Sequence, residues 1–178
     1  MEHTIIDKFF IVVKGKWKGK GVDSTIVNVY GPHTDTNKQK LWLSLESLVG
    51  KHDTGWVLCG DFNKVHDSSE RQNCDFIKRR ANWFNNFINK TKLIDVPMGG
   101  KRFTRICNNG IKFSKLDRFL ISEKFSDIWN ELLVLALERK LSNHYPIILR
   151  DTAIDFGPIP TKVFDEWFDL EGADDLIS

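Results

Sequence analysis

Apolar residues recur at two different spacings along this chain, and each spacing predicts its own type of element. Short runs of apolar and β-branched residues predict strands at 8–13 and 24–30, and a continuous apolar run at 55–59 predicts a buried strand. Apolar side chains at helical spacing predict amphipathic helices at 37–49 and 79–91. The remaining predictions are strands at 101–104, 112–122, 132–138 and 145–150 and a short helix at 123–130.

Turn residues separate these segments and indicate how the strands pair. A basic, glycine-rich turn at 14–21 joins the first two predicted strands, which are therefore expected to form a hairpin. The Asn-Asn-Gly sequence at 108–110 is a strong hairpin signal between the strands at 101–104 and 112–122. A turn at 60–61 is expected to end the buried strand.

The order of these elements predicts a mixed α/β fold with much antiparallel pairing, in which two packed layers of sheet are covered by helices. We expect this fold to occupy residues 1–151. The composition changes after Asp151, since 155–160 (DFGPIP) is typical of a linker and 164–177 is acidic and amphipathic. Residues 152–178 are therefore predicted to be a linker followed by the start of a helix.

Composition narrows the class of protein. Hydrophobic residues make up 41% and charged residues 28% of the chain, which is typical of a globular protein. The formal net charge is only +2, so any basic footprint must come from local clusters. Three widely spaced cysteines without a CxxC pair argue against a disulfide framework or a zinc site. We expect no membrane span and no secretion, because no apolar run approaches the ~20 residues of a span and no signal-peptide pattern is present.

The sharpest polar feature is the sequence Gly-Asp-Phe-Asn at 60–63, directly after the buried strand. A carboxylate and a carboxamide at the carboxyl end of a strand project into the crevice where open α/β sheets bind ligands. Asp61 can orient or deprotonate a water, and Asn63 can donate to a phosphoryl oxygen as negative charge develops. The alternative is an Asx turn that closes the strand, and spacing alone favours that alternative.

Three further polar residues are weaker candidates. His144 precedes the last strand and can act as a general acid or a phosphate ligand, although a lone histidine is more often structural. Asp117 lies within an apolar strand, where a carboxylate needs a partner. Its neighbour Arg118 faces the opposite way on a strand, so His144 is the candidate partner. Tyr30 ends the second strand, where its hydroxyl either contacts a phosphate or caps the sheet.

Two basic clusters suit phosphate contacts. Lysines flank Trp17 at 14–20, and Lys-Arg-Arg stands at 78–80. A solvated hairpin tip and a solvated helix face explain the two clusters equally well.

Four short motifs, taken in their order along the chain, resemble the motifs of the endonuclease/exonuclease/phosphatase superfamily. They are Tyr-x-Pro at 30–32, Gly-Asp-Phe-Asn at 60–63, Leu-Asp-x-Phe-Leu at 116–120 and Ser-x-His-x-Pro at 142–146. The sequence is most similar to the endonuclease domains of plant LINE-type (non-LTR) retrotransposons, over roughly residues 8–170. That closer resemblance is also carried by KRFTR at 101–105, SKLDRFLIS at 114–122 and DFGP at 155–158.

The resemblance implies part of a four-layered α/β sandwich that cleaves phosphodiester bonds in DNA with Mg²⁺ or Mn²⁺. It assigns Asp61 to the attacking water, Asn63 to the pentacovalent phosphorane and Tyr30 to the phosphate. It pairs His144 with Asp117 to stabilise the charge of the scissile phosphate. The expected DNA contacts are Arg102, Arg105 and Lys115.

The sequence also departs from the family pattern. Nothing before Tyr30 offers the Asn and Glu that include the family's principal metal ligand, so we expect a truncated domain, weakly active or inactive alone. Asn143 stands where the family carries Asp, which weakens a metal ligand. Arg105 stands where related sequences often have Trp, which removes an expected stacking contact.

The sequence therefore predicts a divalent-metal-dependent DNA endonuclease domain. The alternative is a non-catalytic nucleic-acid-binding remnant, and a superfamily phosphatase acting on inositol phosphates or sphingomyelin fits the flanking residues less well. A fused or downstream reverse transcriptase is an expected partner besides DNA. The resemblance implies a nuclear or cytoplasmic location.

Overall fold

A computed structural model describes residues 4–18, 20–51, 54–107, 111–129 and 131–151. In chain order, its elements are β1 (Thr4–Ile6), β2 (Phe10–Trp17), β3 (Val22–Tyr30), α1 (Asp35–Val49), β4 (Gly55–Asp61), a 3₁₀ turn (Ser68–Glu70), β5 (Arg71–Gln72), α2 (Lys78–Thr91), β6 (Leu93–Asp95), β7 (Met98–Gly99), β8 (Arg105–Ile106), β9 (Phe113–Ser114), β10 (Asp117–Ser122), α3 (Glu123–Ser126), β11 (Leu132–Ala136) and β12 (Ile147–Asp151).

A six-stranded mixed sheet organises the described part of the chain. Its strand order is β1-β2-β3-β4-β10-β6, and the pair β3–β4 is parallel whereas the other neighbours are antiparallel. The parallel pair requires a crossover, which α1 supplies. Two small sheets, β12-β11-β7 and β5-β9-β8, complete the fold.

Alternate residues of the central strands pack into two different cores. Val27, Leu58 and Leu120 face α1 and α2, where Trp42 and Phe87 stack with ring centroids 5.2 Å apart. The intervening positions on β4 and β10 face the other way and contact α3 and the β11–β12 sheet. Because β4 is covered on both faces, its sequence is continuously apolar rather than alternating.

The structure corrects several predicted boundaries. Gly60 and Asp61 belong to β4, so the chain turns after Asp61 rather than at it. The segment 101–104 is not a strand, and the pairing begins at Arg105. The predicted strand at 112–122 is two strands, because the chain leaves β9 at Ser114 and enters another sheet at Asp117. The predicted helix at 123–130 ends at Ser126.

The remaining predictions agree with the structure or lie outside the part it describes. The first hairpin is confirmed, although β2 extends into the predicted turn at 14–21 as far as Trp17, and β3 begins two residues earlier than predicted, at Val22. The helices at 37–49 and 79–91 are confirmed to within two residues at each end. The turn at 108–110 and the tail at 152–178 lie outside the described residues. No described helix is long and apolar enough to cross a membrane.

Candidate active site

Three neighbouring strands bring polar side chains into one row. Tyr30, the last residue of β3, is the register partner of Asp61, the last residue of β4. Asp61 is also the register partner of Asp117, the first residue of antiparallel β10. The row therefore lies at the carboxyl end of the central parallel pair, which is where open α/β sheets bind ligands. Tyr30 is 62% exposed, so its hydroxyl is accessible to a ligand.

The backbone after β4 fixes the position of the Asp61 carboxylate. Gly60 has a φ of +122°, and a Cβ at this position would lie 2.2 Å from the carbonyl oxygen of Val29, so glycine is required. Asp61 Oδ1 accepts a hydrogen bond from the backbone N–H of Asn63 at 2.7 Å. The Asx turn considered from the sequence is thus present, and it orients the carboxylate instead of excluding a functional role.

Asn63 projects toward the loop that follows β3. Its φ of 50° is left-handed, a conformation that asparagine tolerates better than most residues. Its Nδ2 lies 3.1 Å from Nδ1 of His33 and donates to the carbonyl oxygen of Gly31 at 3.4 Å. The residue is therefore held beside Asp61, with its amide nitrogen turned toward Gly31 and His33.

Asp117 and His144 form the ion pair that the sequence suggested. His144 Nδ1 lies 2.9 Å from Asp117 Oδ2, and both side chains are largely buried. An isolated β-bridge between His144 and Arg105 places the histidine loop next to the site. With Nδ1 engaged by the carboxylate, the Nε2 edge of the imidazole remains for a ligand.

Thr104 connects the start of β10, which carries Asp117, with the loop that carries His144. Its hydroxyl oxygen accepts hydrogen bonds from the backbone N–H groups of Leu116 and Asp117, at 2.9 and 3.0 Å. Its carbonyl oxygen accepts from the backbone N–H of Tyr145 at 2.7 Å. The side chain is fully buried. Thr104 was not among the site residues predicted from the sequence, where it only ended the predicted strand at 101–104.

Burial and charge shift the two ionisable groups that matter most. Burial raises the pKa of Asp61, and the nearby negative charge of Asp117 raises it further, which outweighs the Asn63 hydrogen bond and the positive charges of His144 and Arg105. The hydrogen bond that the imidazole donates to the Asp117 carboxylate raises the pKa of His144 despite its burial. The site therefore pairs a carboxylate of increased basicity with an imidazole that favours its charged form.

The three residues expected to contact DNA differ in whether their side-chain charge is already paired with a carboxylate. Arg102 is exposed and donates to the carbonyl oxygen of Ser69 at 2.6 Å. Arg105 lies beside Asn63 in a small pocket. The Lys115 ammonium lies 3.3 Å from Asp95 and 3.6 Å from Glu70, and its side chain is only 15% exposed. Of these residues, Lys115 is the least suited to bind DNA, because its charge is already paired.

Asn143 lies in the same loop as His144 and is partly buried. Its carbonyl oxygen accepts a hydrogen bond from the backbone N–H of Ile106 at 2.9 Å, which holds the loop against β8. The role expected of its side chain, as a weakened metal ligand, stays a prediction.

A buried charge network that the sequence did not predict supports the site from the helix side. The Arg118 side chain has no exposed area and donates to Glu70 and Asp95, with 2.6 Å between Nη1 and Asp95 Oδ2. It also donates to the carbonyl oxygens of Lys64 and Lys115. Because Arg118 and Asp117 are neighbours on β10, they face opposite sides of the sheet.

A family profile described as endonuclease-reverse transcriptase matches residues 24–148, well over half of the chain. The matched segment contains Tyr30, Asp61, Asn63, Asp117 and His144. The chain belongs to the endonuclease-reverse transcriptase family. A search among curated proteins finds no match.

Solved structures share the fold of this endonuclease-reverse transcriptase family member at low identity. A 3′ phosphatase from Neisseria bound to a product DNA hairpin is 18% identical with a TM-score of 0.61, over 84% of this chain and 70% of that one. An AP endonuclease from Archaeoglobus fulgidus is 14% identical with a TM-score of 0.58, over 80% of this chain and 65% of that one. A Staphylococcus aureus beta toxin mutant with bound magnesium ions is 14% identical with a TM-score of 0.52, over 80% of this chain and 53% of that one. The predicted mixed α/β fold is confirmed, and the chain spans about half to two thirds of the length of several of these structures.

The described residues do not form a complete metal site. Within them, no group of three or more histidine, cysteine, aspartate or glutamate side chains is arranged to hold a metal ion. Asp61 and Asp117 are close, but Asp117 is already paired with His144. For this member of the endonuclease-reverse transcriptase family, the donor set thus provides one free carboxylate, which is too few for the oxygen-rich coordination of Mg²⁺.

Proposed function

We propose that this chain is a phosphodiesterase domain that cleaves DNA, the endonuclease part of a retrotransposon-like protein with a fused or downstream reverse transcriptase. The observation that carries the proposal is the Asp117–His144 ion pair placed next to Asp61 at the end of the central strands. The family description and the DNA-bound phosphatase among the similar structures support DNA as the substrate. A nuclear or cytoplasmic location follows from the same resemblance.

Each side chain has a role that its surroundings suit. Asp61, with its raised pKa, accepts a proton from the attacking water. Asn63 exchanges the long 3.4 Å contact of its amide nitrogen with Gly31 for a phosphoryl oxygen, to which it donates as negative charge builds up. His144, held charged by Asp117, stabilises the same developing charge. The exposed Tyr30 hydroxyl donates to the phosphate and orients it.

The proposal includes Mg²⁺ or Mn²⁺ as the cofactor, on the basis of the resemblance. The described residues do not complete a cation site. The same deficit leads us to propose that the chain alone is weakly active. Its nicking should therefore be measured with enzyme in excess over DNA, so that a slow single turnover is detected.

The test is nicking of supercoiled plasmid with Mg²⁺, with Mn²⁺ and with a chelator. We expect slow, metal-dependent nicking that Asp61→Asn and His144→Ala each reduce by at least about 100-fold, as is typical for removing a general base or a charge-stabilising group. Asp23→Asn is the matched control, because Asp23 is an exposed carboxylate at the opposite end of β3. It should nick at the rate of the unmodified chain.

A non-catalytic nucleic-acid-binding remnant is the second candidate, favoured because the described residues do not form a complete metal site. Folded protein that binds plasmid but never nicks it would replace the enzyme proposal with this one. Nicking that survives both Asp61→Asn and His144→Ala would place the active site elsewhere.

A further inference from the structure

A basic cleft opens beside Asn63, adjacent to the catalytic row. Its volume is about 530 Å³, and its walls come from the loop after β3, the start of α1, the loop after β4, β5 and the start of α2. Cationic side chains outnumber carboxylates in these walls. The cationic residues are Lys38, Lys64, Arg71, Arg80 and Lys112, and the carboxylates are Asp35 and Asp75.

The internal ion pairs do not neutralise this positive charge. Asp35 is shared by two cations, with Lys64 Nζ at 3.2 Å and Arg80 Nε at 2.6 Å. Arg71 donates to the backbone carbonyl of Asp75 at 2.6 Å, which carries no net charge. Lys38 donates only to the carbonyl oxygen of His33, at 3.3 Å, among the residues that the structure describes. The cleft therefore keeps an excess of positive charge.

Lys38 shows the effect of this excess of positive charge. The residue is only 6% exposed, although lysines are rarely buried without a carboxylate partner. Burial lowers its pKa to about 8, and the charge of Lys64 contributes, against the opposing effects of Asp35 and Asp61. A buried ammonium beside other cations is stabilised when an anion enters the cleft.

A smaller pocket of about 140 Å³ extends the cleft toward the catalytic row. It shares Asn63, Arg71 and Lys112 with the cleft and adds Arg105. The Nε atoms of Arg71 and Arg105 are both buried without a hydrogen-bond partner within the described protein. Buried donors of this kind are costly unless a ligand or water completes them.

We propose that this cleft binds a second phosphodiester of the DNA strand that is cut, next to the scissile phosphate at Asn63. The inference rests on the proposed function, because the position of the scissile phosphate comes from the catalytic row. Guanidinium groups bind phosphate oxygens in pairs, and lysines add charge without fixed geometry. The cleft thereby fixes the position of the DNA strand relative to Asp61, while its contacts to the phosphate do not distinguish one base sequence from another.

The test is binding of a fluorescein-labelled duplex, measured by anisotropy in a chelator so that no cleavage occurs. We expect Lys112→Gln and Arg71→Gln each to weaken binding by about three- to tenfold and to reduce the salt slope by about 1, as for the loss of one phosphate contact. Lys40→Gln is the control, because Lys40 is exposed on α1 and does not line the cleft. Its affinity and salt slope should equal those of the unmodified chain.

Neutral linkages locate the contact. Duplexes that carry one methylphosphonate at successive positions should lose affinity for the unmodified chain at the position of the phosphate that the cleft contacts. Lys112→Gln should be insensitive to that same substitution. Lys112 is exposed, so this variant keeps the fold even if Arg71→Gln does not.

The inference would be overturned if both cleft variants bound the duplex with the same affinity and salt slope as the Lys40→Gln control. Tight binding of inorganic phosphate that Lys112→Gln abolishes, without any change in DNA affinity, would assign the cleft to free phosphate and overturn it as well. Because the assay contains no metal, its outcome is independent of nicking. A chain that never nicks can therefore still pass or fail this test.

Discussion

Replacing Thr104 by valine isolates one hydroxyl that holds the catalytic ion pair in place. The Thr104 oxygen accepts hydrogen bonds from the backbone N–H groups of Leu116 and Asp117, and the side chain is fully buried. Thr104→Val keeps nearly the same shape but removes the acceptor. Two backbone donors then lose their partner in a place that excludes most water.

The size of the effect follows from the surroundings of those donors. An unsatisfied buried donor costs about 1–3 kcal/mol. The Leu116 donor is buried and the Asp117 donor is partly buried, so water can replace some of the second loss. We therefore expect Thr104→Val to lower the free energy of unfolding by roughly 2–4 kcal/mol. Thr104→Ser keeps the oxygen and loses one methyl group, which costs about 0.8 kcal/mol.

Urea unfolding followed by tryptophan fluorescence measures both variants, and the slope with denaturant should stay unchanged if the fold is intact. Thr104→Val should also reduce nicking more than Thr104→Ser, because Asp117 is then less firmly placed for His144. Equal stability of the valine and serine variants would refute the reasoning, since it would show that the two hydrogen bonds contribute nothing.

Three further outcomes follow from the same structure. Asp117→Asn removes the charge that raises the pKa of His144, so an NMR titration should show a lower imidazole pKa, and an unchanged pKa would contradict the ion pair. Burial alone would raise the pKa of Asp95, but its hydrogen bond with His66 and the charges of Arg118 and Lys115 lower it to about 2, below the unfolded value of about 3.9. The charged Asp95 therefore stabilises the fold above about pH 4, and this stabilisation is lost as the pH falls toward 2. In acid unfolding experiments, Asp95→Asn should not show that loss of stability. Gly31→Ala should cost roughly 1–3 kcal/mol in urea unfolding, because its Cβ would lie 2.4 Å from the carbonyl oxygen of Phe62; unaltered stability would show that the loop moves freely.

The sequence predicted the long elements well because their apolar spacing is set by local burial. Both long helices and the central strands follow that spacing. The start of α1 at Asp35 was missed because its first turn is polar and carries no apolar pattern. Strands of two or three residues, such as β6, were missed because their pairing is decided by distant partners rather than by their own composition.

The candidate site was predictable where the chemistry sits in short motifs. The contact between Asp117 and His144 was inferred because a carboxylate in an apolar strand needs a partner, and the structure confirms it. Thr104 could not be inferred, because its role depends on backbone donors twelve and thirteen residues away. The basic cleft was equally hidden, since the residues that line it come from segments between 33 and 112.

Arg118 shows how one strand can support both sides of the site. Asp117 lies in one row with Tyr30 and Asp61, whereas Arg118 faces the helix side of the sheet and binds Glu70 and Asp95. Glu70 lies between Asn63 and Arg71, which both line the basic cleft, so the buried guanidinium anchors that segment to β10. Breaking a buried ion pair by removing one partner costs about 3–5 kcal/mol, because the other charge stays buried. The network therefore serves positioning, since apolar residues could fill the same space without fixing the loop that carries Asn63.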